Sequence, residues 1–221
     1  CCPRTLTMQT LLHFQRLRIF GLSIACMVLQ GCSTMEDWAH TARQNLSSNA
    51  AVKGTALING KDLNAWKLVG NANWRLQDGV VQAELGDGFL ITRNSFQNFH
   101  LVAEFWVDEE ANSGIFFRCT DPLVINDKTA YEANIYDKRP DTNYGTGTIV
   151  GVAKSLIQPN LKTGGQWNTY DISVVGTRMT LVLNGQTTVD TNDSTHTDAG
   201  PIALQYNKGV VKFRKLNIES L

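Results

Sequence analysis

The chain has 221 residues, of which 43% are hydrophobic and 18% are charged, a balance typical of a globular domain and too apolar for a disordered chain. Twenty Lys and Arg side chains offset twenty Asp and Glu side chains, so the formal net charge is zero. Without a net positive field, we do not expect nucleic acid as a partner.

The beginning of the chain has the features of an export signal. Arg16 and Arg18 precede the apolar run 19–29, which is too short to span a bilayer comfortably. We predict a signal peptide over residues 1–31, with Met8 as a plausible start and residues 1–7 as an upstream extension.

The apolar run ends in Leu29-Gln30-Gly31-Cys32, which resembles the lipobox of bacterial lipoproteins. The resemblance implies that Cys32 is acylated and that a lipid anchor is the chain's contact with a membrane. Because Ser33 rather than Asp follows, it also implies the cell envelope, at the outer membrane of a Gram-negative bacterium. An ordinary signal peptide is the alternative. Residues 32–54, polar and rich in Ser, Asn and Ala, are then the lipidated N-terminus and tether.

From Thr55 to the end, the hydrophobic pattern repeats every two residues, which is the period of a β-strand. Asn184-Gly185, between two apolar runs, predicts a hairpin with a type I′ turn. We therefore predict an all-β domain over residues 55–221, folded as a two-sheet antiparallel jelly-roll sandwich. The strands expected from the alternation are 80–84, 100–107, 115–118, 131–136, 168–175, 179–183, 202–206 and 210–218.

The same alternation places candidate site residues on outward faces. Glu104 and Trp106 share one face of their strand, as a carboxylate and an indole do in many sugar sites, and Glu132 shares a face with Asn134. If these strands are neighbours, Glu104, Arg118, Glu132 and Asn134 converge on one outer sheet surface that could hold a glycan. The alternative is that Glu104 and Arg118 form only a cross-strand ion pair on a solvated face.

Other polar residues give weaker signals. His100 is the sole His on a predicted strand, so it is the sole candidate for a catalytic His. Cys119 has no Cys or His at ligand spacing, and we predict no metal site and no cofactor. A structural Ca²⁺ held by the acidic loop 193–198, or a catalytic divalent metal, is the alternative to be tested.

Ten short motifs occur in order along the chain, among them Trp74-Arg75-Leu76-Gln77-Asp78-Gly79 and Asn112-Ser113-Gly114-Ile115. The motifs are 57–66, 74–79, 89–92, 104–106, 112–118, 131–137, 166–170, 183–185, 200–205 and 211–216. Together they resemble the 3-keto-disaccharide hydrolase domain family, which has a concanavalin-like jelly roll. The resemblance covers nearly all of residues 55–221.

The resemblance implies cleavage of glycosides whose sugar has been oxidised to a ketone at C3, with a carbohydrate as the partner. Such a carbonyl acidifies the C2 proton, so elimination needs a general base, a general acid and a donor to the enolate oxygen. On this basis Glu132 is the general acid and base, Arg118 stabilises the carbonyl or enolate, and Glu104 orients Arg118 or binds a hydroxyl. The implied substrate contacts are Trp106, Asn134, Asp137, Gln205 and Asn207.

The sequence departs from the family at Asn207, where many relatives have a His. An amide can neither take up a proton near pH 7 nor bind a metal well. The alternative function is therefore a non-catalytic carbohydrate-binding lipoprotein with the same fold.

Overall fold

The computed structural model describes residues 54–157 and 161–221, which form β-strands and one 3₁₀ helix, η1, at Thr142–Tyr144. The strands, in chain order, are β1 (Thr55–Ile58), β2 (Trp66–Gly70), β3 (Arg75–Gln77), β4 (Val80–Ala83), β5 (Gly88–Phe96), β6 (Phe99–Val107), β7 (Ser113–Phe117), β8 (Tyr131–Ile135), β9 (Trp167–Val175), β10 (Arg178–Leu183), β11 (Gln186–Asn192), β12 (Gly200–Tyr206) and β13 (Val211–Ser220).

The strands form two antiparallel sheets. Sheet A has the order β11-β10-β9-β6-β13-β4-β3, with β1 also paired to β13, and sheet B has the order β2-β5-β12-β7-β8. Strands distant in sequence are neighbours in both sheets, as in a jelly roll. This arrangement confirms the predicted all-β, two-sheet antiparallel sandwich.

Strict alternation along the long strands builds the core between the sheets. In β6 every second residue is fully buried, from Phe99 to Val107, and β9 alternates in the same way. Phe105 stacks on Tyr170 of β9 with ring centroids 5.2 Å apart, and it also approaches Phe213 of β13. A buried large apolar side chain stabilises a fold by about 1.5–3 kcal/mol, so this layer is a major part of the core.

The turn between β10 and β11 has the predicted geometry. Asn184 has φ of 51° and Gly185 has φ of 80°, the positive values that a type I′ turn needs at both central positions. The strands on either side pair from Leu183 with Gln186 onward. The hairpin predicted from Asn184-Gly185 is thus confirmed.

The predicted signal peptide, Cys32 and all but the last residue of the tether lie outside the described residues, so these assignments stay predictions. Within residues 54–157 and 161–221, no helix has the length and hydropathy needed to cross a membrane.

Candidate functional site

The outer face of sheet B carries rows of side chains from neighbouring strands. The pairing of β5, β12, β7 and β8 aligns Ile91, Ala203, Phe116 and Glu132 in one row. The next row contains Phe89 and Gln205, which are paired, and Gly114 and Asn134, which are paired. Continuing the pairing of Leu204 with Ile115 by one residue places Gln205 beside Gly114. Glu132, Gln205 and Asn134 therefore meet around Gly114.

The loop that joins β7 to β8 covers part of this face. Ile91, Phe116 and Ala203 point outward from the sheet, yet they are buried in a second hydrophobic cluster with Cys119 and Ala130 at the ends of the loop. Ile125, from the middle of the loop, packs against this cluster. The loop therefore covers one part of the outer face with apolar side chains. Glu132 lies in the same row as the covered residues Ile91, Ala203 and Phe116.

The Glu132 side chain leans over Gly114. A Cβ placed on Gly114 would lie 2.7 Å from Oε1 and 3.0 Å from Cγ of Glu132, closer than real Cβ contacts. Only glycine leaves room for the carboxyl in this position. Glu132 is 7% exposed, and its carboxyl has no hydrogen-bond or ion-pair partner among the described residues. Such an arrangement is costly for a charged group.

Burial raises the pKa of Glu132 to about 7, with an opposing effect of Arg139 and a reinforcing effect of Asp127. The ordinary value is 4.5. A carboxyl with a pKa near neutrality can both take up and release a proton under physiological conditions, which is what general acid and base catalysis requires.

Next to Glu132, the outer face becomes polar and open. Asn207 lies at the end of β12, where its Oδ1 accepts a hydrogen bond from Nδ2 of Asn112 at 3.0 Å and its Nδ2 donates to Oδ1 of Asp87 at 3.1 Å. Gln205 is half-buried, and its Oε1 has no hydrogen-bond partner among the residues described. Gln205 and Asn207 therefore lie on the same face as Glu132, as the resemblance implies.

Asn134 and Asp137 hold neighbouring loops against β8. Asn134 is fully buried, and its Nδ2 donates to the carbonyl oxygen of Tyr144 at 2.5 Å, while its Oδ1 has no hydrogen-bond partner among the described residues. The Asp137 carboxylate accepts hydrogen bonds from the hydroxyls of Thr146 and Thr163 and from the backbone N–H groups of Thr163 and Gly164. Asp137 is thus engaged by the protein itself, and the contact of Asn134 with substrate stays a prediction.

Glu104 and Trp106 lie on the other sheet, so the predicted convergence of Glu104, Arg118 and Glu132 is wrong. Both belong to β6 of sheet A, and Glu132 belongs to β8 of sheet B. The Glu104 carboxylate accepts hydrogen bonds from Arg214 at 2.5 Å and Lys215 at 2.6 Å. The Lys212 ammonium sits over the Trp106 ring, 4.7 Å from its centroid. These groups already have partners, and none of them reaches Glu132.

Although its partial burial raises the pKa of Glu104, the hydrogen bonds from Lys215 and Arg214 outweigh this effect and hold the pKa below its ordinary value. Glu104 therefore stays ionised at neutral pH. Glu104 and Glu132, the two carboxyls predicted to share a site, differ in their ion pairing. Glu104 pairs with two cations, whereas Glu132 has no ion-pair partner among the described residues.

Arg118 is a structural residue. It follows β7 with φ of 53°, so the chain leaves the strand and the side chain no longer shares the face of Phe116. The guanidinium is buried and donates to the carbonyl oxygens of Gln97 and His196 and to Oδ1 of Asn98. Gln97 and Asn98 lie between β5 and β6, and His196 lies between β11 and β12. Arg118 therefore links these two connections. The prediction that Arg118 stabilises an enolate, or pairs with Glu104, is wrong.

The remaining candidates are also apart from Glu132. His100 lies on β6 in sheet A, where its Nε2 contacts Oδ1 of Asp171 at 2.8 Å, so it is not a catalytic His for this site. In the 193–198 loop, Asp193 accepts hydrogen bonds from the Tyr131 hydroxyl and from Thr195 N–H. No group of three or more acidic, His or Cys residues suited to a metal occurs in the described part of the chain.

Sequence reasoning missed Gly114, Asn112 and the covering loop as parts of the site. A signal for Gly114 was present, because a glycine inside a predicted strand often marks a close approach of another group. The covering role of Ile125 had no such signal. It depends on how the loop folds back over sheet B.

The fold and this face define a class of protein. A two-sheet jelly roll occurs in lectin domains among other proteins, and here its outer face places a buried carboxyl next to amide groups. Residues 53–219 match the profile of the 3-keto-alpha-glucoside-1,2-lyase-like domain. The chain belongs to this family, as the sequence motifs had indicated.

Individual relatives agree with this assignment. The chain is 27% identical over 150 residues to a protein from Bacteroides thetaiotaomicron named 3-keto-disaccharide hydrolase. The aligned part is 53% of this chain and 51% of that relative, so the chain spans about half of the relative's length.

Two solved structures illustrate the fold. One, from Parabacteroides distasonis and provisionally described as a glycosyl hydrolase, has a TM-score of 0.68 at 19% identity, over 76% of this chain and 94% of that one. The other, a carbohydrate-binding module from Bacillus subtilis, has a TM-score of 0.56 at 18% identity, over 71% of this chain and 96% of that one.

Proposed function

We propose that this chain cleaves 3-keto-glycosides, including 3-keto-disaccharides, and that Glu132 is the group that moves the proton. The observation that carries the proposal is the position of Glu132. Its carboxyl lies over Gly114 on the outer face of sheet B, buried and without a partner among the described residues. The family supplies the substrate class, and the raised pKa of Glu132 suits the chemistry.

The proposed reaction is an elimination followed by hydration. The ketone at C3 acidifies the C2 proton, which ionised Glu132 removes as general base. The electron pair moves to form the double bond between C1 and C2, the bond between C1 and the glycosidic oxygen breaks, and that oxygen takes the proton that Glu132 removed. Water then adds to C1 through its oxygen, and one of its protons goes to C2 by way of Glu132, which gives the free 3-keto sugar and ionised Glu132. No covalent intermediate with the protein is needed, unlike in retaining glycosidases.

The neighbours of Glu132 support the same assignment. The Gln205 side chain lies beside Glu132 with a buried Oε1 that has no partner among the described residues, and Asn207 and Asn112 continue the polar surface. Ile125 and Phe116 exclude water on the other side. Electrostatic and hydrogen-bonding effects are stronger in such a sheltered place than in water.

The test is turnover of a 3-keto-disaccharide by the full chain and by Glu132→Gln, with Glu104→Gln as the matched control on the other sheet. Loss of a general acid or base typically lowers the rate by about 10²–10⁴-fold. We expect that loss for Glu132→Gln and near wild-type turnover for Glu104→Gln. Wild-type turnover in Glu132→Gln would refute the assignment.

Carbohydrate binding without catalysis is the second candidate. Asn207, where many relatives have a His, supports it, because an amide cannot exchange protons near pH 7. The fold likeness to a carbohydrate-binding module is compatible with it. Saturable glycan binding by a chain that turns over no 3-keto-glycoside would favour this candidate.

We also propose that the domain is held at the cell envelope, at the outer membrane, through acylation of Cys32. The lipobox-like sequence before Cys32 supports this proposal. Cys32→Ser should abolish incorporation of labelled fatty acid and release the protein from the membrane fraction. A chain that stays in that fraction after the substitution would contradict it.

A further inference from the structure

A small polar pocket lies beside the proposed site. The segment from Gly145 to Val150 runs along β8, and the backbone N–H of Val150 donates to Glu132 O while that of Asn134 donates to Thr148 O. Ile149 is buried in the core, as is its bridge partner Ala133. Because side chains alternate, Thr148 lies on the outer side of sheet B, next to Asn134. Thr148 forms one wall of a pocket of about 120 Å³.

The distance from this pocket to Glu132 is short. Strands in a sheet lie about 4.8 Å apart and residues two apart on a strand are separated by about 6.6 Å. Gly114, which lies under the Glu132 carboxyl, and Thr148 are on opposite sides of Asn134, so the carboxyl and Thr148 are about two strand spacings, or about 10 Å, apart. This separation is within reach of a substituent on the sugar next to the one at Glu132.

The lining of the pocket has free donors and no carboxylate. Its one charged group is the Lys154 ammonium, which has no ion-pair or hydrogen-bond partner among the described residues. The hydroxyls of Thr142 and Ser155 also donate to no described atom. By contrast, the Thr146 and Thr148 hydroxyls are committed, to Asp137 Oδ1 at 2.6 Å and Gly145 O at 2.8 Å.

The nearest acidic groups are already engaged. Asp141 caps η1 and accepts hydrogen bonds from the backbone and side chain of Asn143. Asp137 accepts a hydrogen bond from the Thr146 hydroxyl. An ammonium and two hydroxyl donors that line one pocket, with the local carboxylates occupied elsewhere, make a site suited to an anion.

We infer that this pocket binds an anionic substituent, a carboxylate or a sulfate, on the glycoside that is cleaved at Glu132. The inference rests on the proposed function for the place of the scissile bond. It names a narrower substrate class, acidic 3-keto-glycosides in which the charge lies on the sugar next to the oxidised one.

The test compares three substrates with the full chain: 3-keto-maltose, its uronate with a carboxylate on the second sugar, and its 6-O-sulfate on that sugar. We expect at least one acidic substrate to have a kcat/KM about tenfold above the neutral one, which corresponds to about 1.4 kcal/mol. Lys154→Ala should remove this preference, and Thr142→Ala or Ser155→Ala should reduce it. The two acidic substrates distinguish carboxylate from sulfate recognition.

Lys61→Ala is the control, because Lys61 is an exposed lysine in the connection from β1 to β2, away from this pocket. It should keep both turnover and preference. Equal kcat/KM for neutral and acidic substrates, or a preference that survives Lys154→Ala, would overturn the inference while leaving the proposed function intact. A preference lost equally in Lys61→Ala would overturn it as well, since it would reflect the overall charge.

If no substrate is turned over, the proposed function fails and the inference is decided by binding. Calorimetry with maltose, its uronate and its 6-O-sulfate then measures the affinity of the full chain directly. Tighter binding of an acidic sugar that disappears in Lys154→Ala supports the pocket. Equal affinity for the three sugars overturns it.

Discussion

Replacing Glu132 by Gln should stabilise the protein at alkaline pH. Burial raises the pKa of this carboxyl from 4.5 to about 7, so the folded protein binds the proton more tightly than the unfolded chain between these values. The free energy of unfolding therefore falls as pH rises from about 4.5 through 7 and stays lowered above that. At about 1.4 kcal/mol for each pH unit, ionised Glu132 costs about 3 kcal/mol.

Glutamine has the shape of the protonated side chain and does not ionise. The difference in unfolding free energy between Glu132→Gln and wild type should be small at pH 4.5 and about 3 kcal/mol in favour of the variant at pH 8.5. Urea denaturation at a series of pH values measures it. In a domain of this size, the same difference raises Tm by about 6–12 °C at alkaline pH.

Glu104→Gln should show the opposite trend. The lowered pKa of Glu104 means that its ion pairs stabilise the fold above about pH 4.5 and lose that effect as pH falls. Because Arg214 and Lys215 are well exposed, the loss at neutral pH is about 1 kcal/mol or less. A Glu132→Gln difference that is constant with pH, or that favours the wild type at pH 8.5, would refute the assignment of Glu132 as a buried carboxyl without a partner.

Further outcomes follow from the same contacts. Gly114→Ala should lower turnover of 3-keto-glycosides at least tenfold, because the new Cβ would displace the Glu132 carboxyl, and wild-type kinetics in this variant would contradict the geometry. If ionised Glu132 removes the C2 proton, kcat/KM should rise with pH through about 7, and this limb should be absent from the residual activity of Glu132→Gln. Arg118→Ala should lower the unfolding free energy by about 3 kcal/mol, since it leaves buried carbonyl oxygens unpaired, and a Tm within 2 °C of wild type would contradict that role. Trp106→Ala should leave turnover unchanged, because its ring lies on sheet A under Lys212. A large loss of activity would indicate that the site is on sheet A and would contradict its assignment to sheet B.

The fold could be predicted in its main features from the sequence. Strict alternation identified β6, β9 and several other strands, and Asn184-Gly185 identified the hairpin that begins at the end of β10. The pattern failed where strands do not alternate. The strands β1, β2, β3, β5 and β11 were not predicted. In β2, β5 and β11 the burial patterns are irregular, and β1 and β3 have only four and three residues.

The site could be predicted only in part, because alternation assigns a side chain to a face of its strand but not to a sheet. Glu104 and Glu132 both point away from the core, and the pairing of β6 with β9 and of β7 with β8 puts them on opposite sides of the sandwich. This pairing joins residues far apart in sequence. The face predicted for Arg118 was wrong for a local reason. Its positive φ ends the strand alternation directly after β7.

The partners of the polar groups distinguish the two outer faces. On sheet A, Glu104 has Arg214 and Lys215, His100 has Asp171, and the Trp106 ring has Lys212. A ligand there gains little, because each new contact replaces one that already exists. On sheet B, the Oε1 of Gln205 and the Oδ1 of Asn134 are buried without a partner among the described residues, and the Glu132 carboxyl has no hydrogen-bond or ion-pair partner there either.

Unpaired polar groups that are buried destabilise a fold, by about 1–3 kcal/mol each and more when the group is charged. A ligand that brings hydroxyl groups to sheet B recovers this energy on binding. The same desolvation that makes Glu132 costly also brings its pKa to about 7, where proton transfer is fast in both directions. The energetic cost of this face and the proton transfer proposed for it therefore have one physical origin, the burial over Gly114 of a carboxyl that has no ion-pair partner among the described residues.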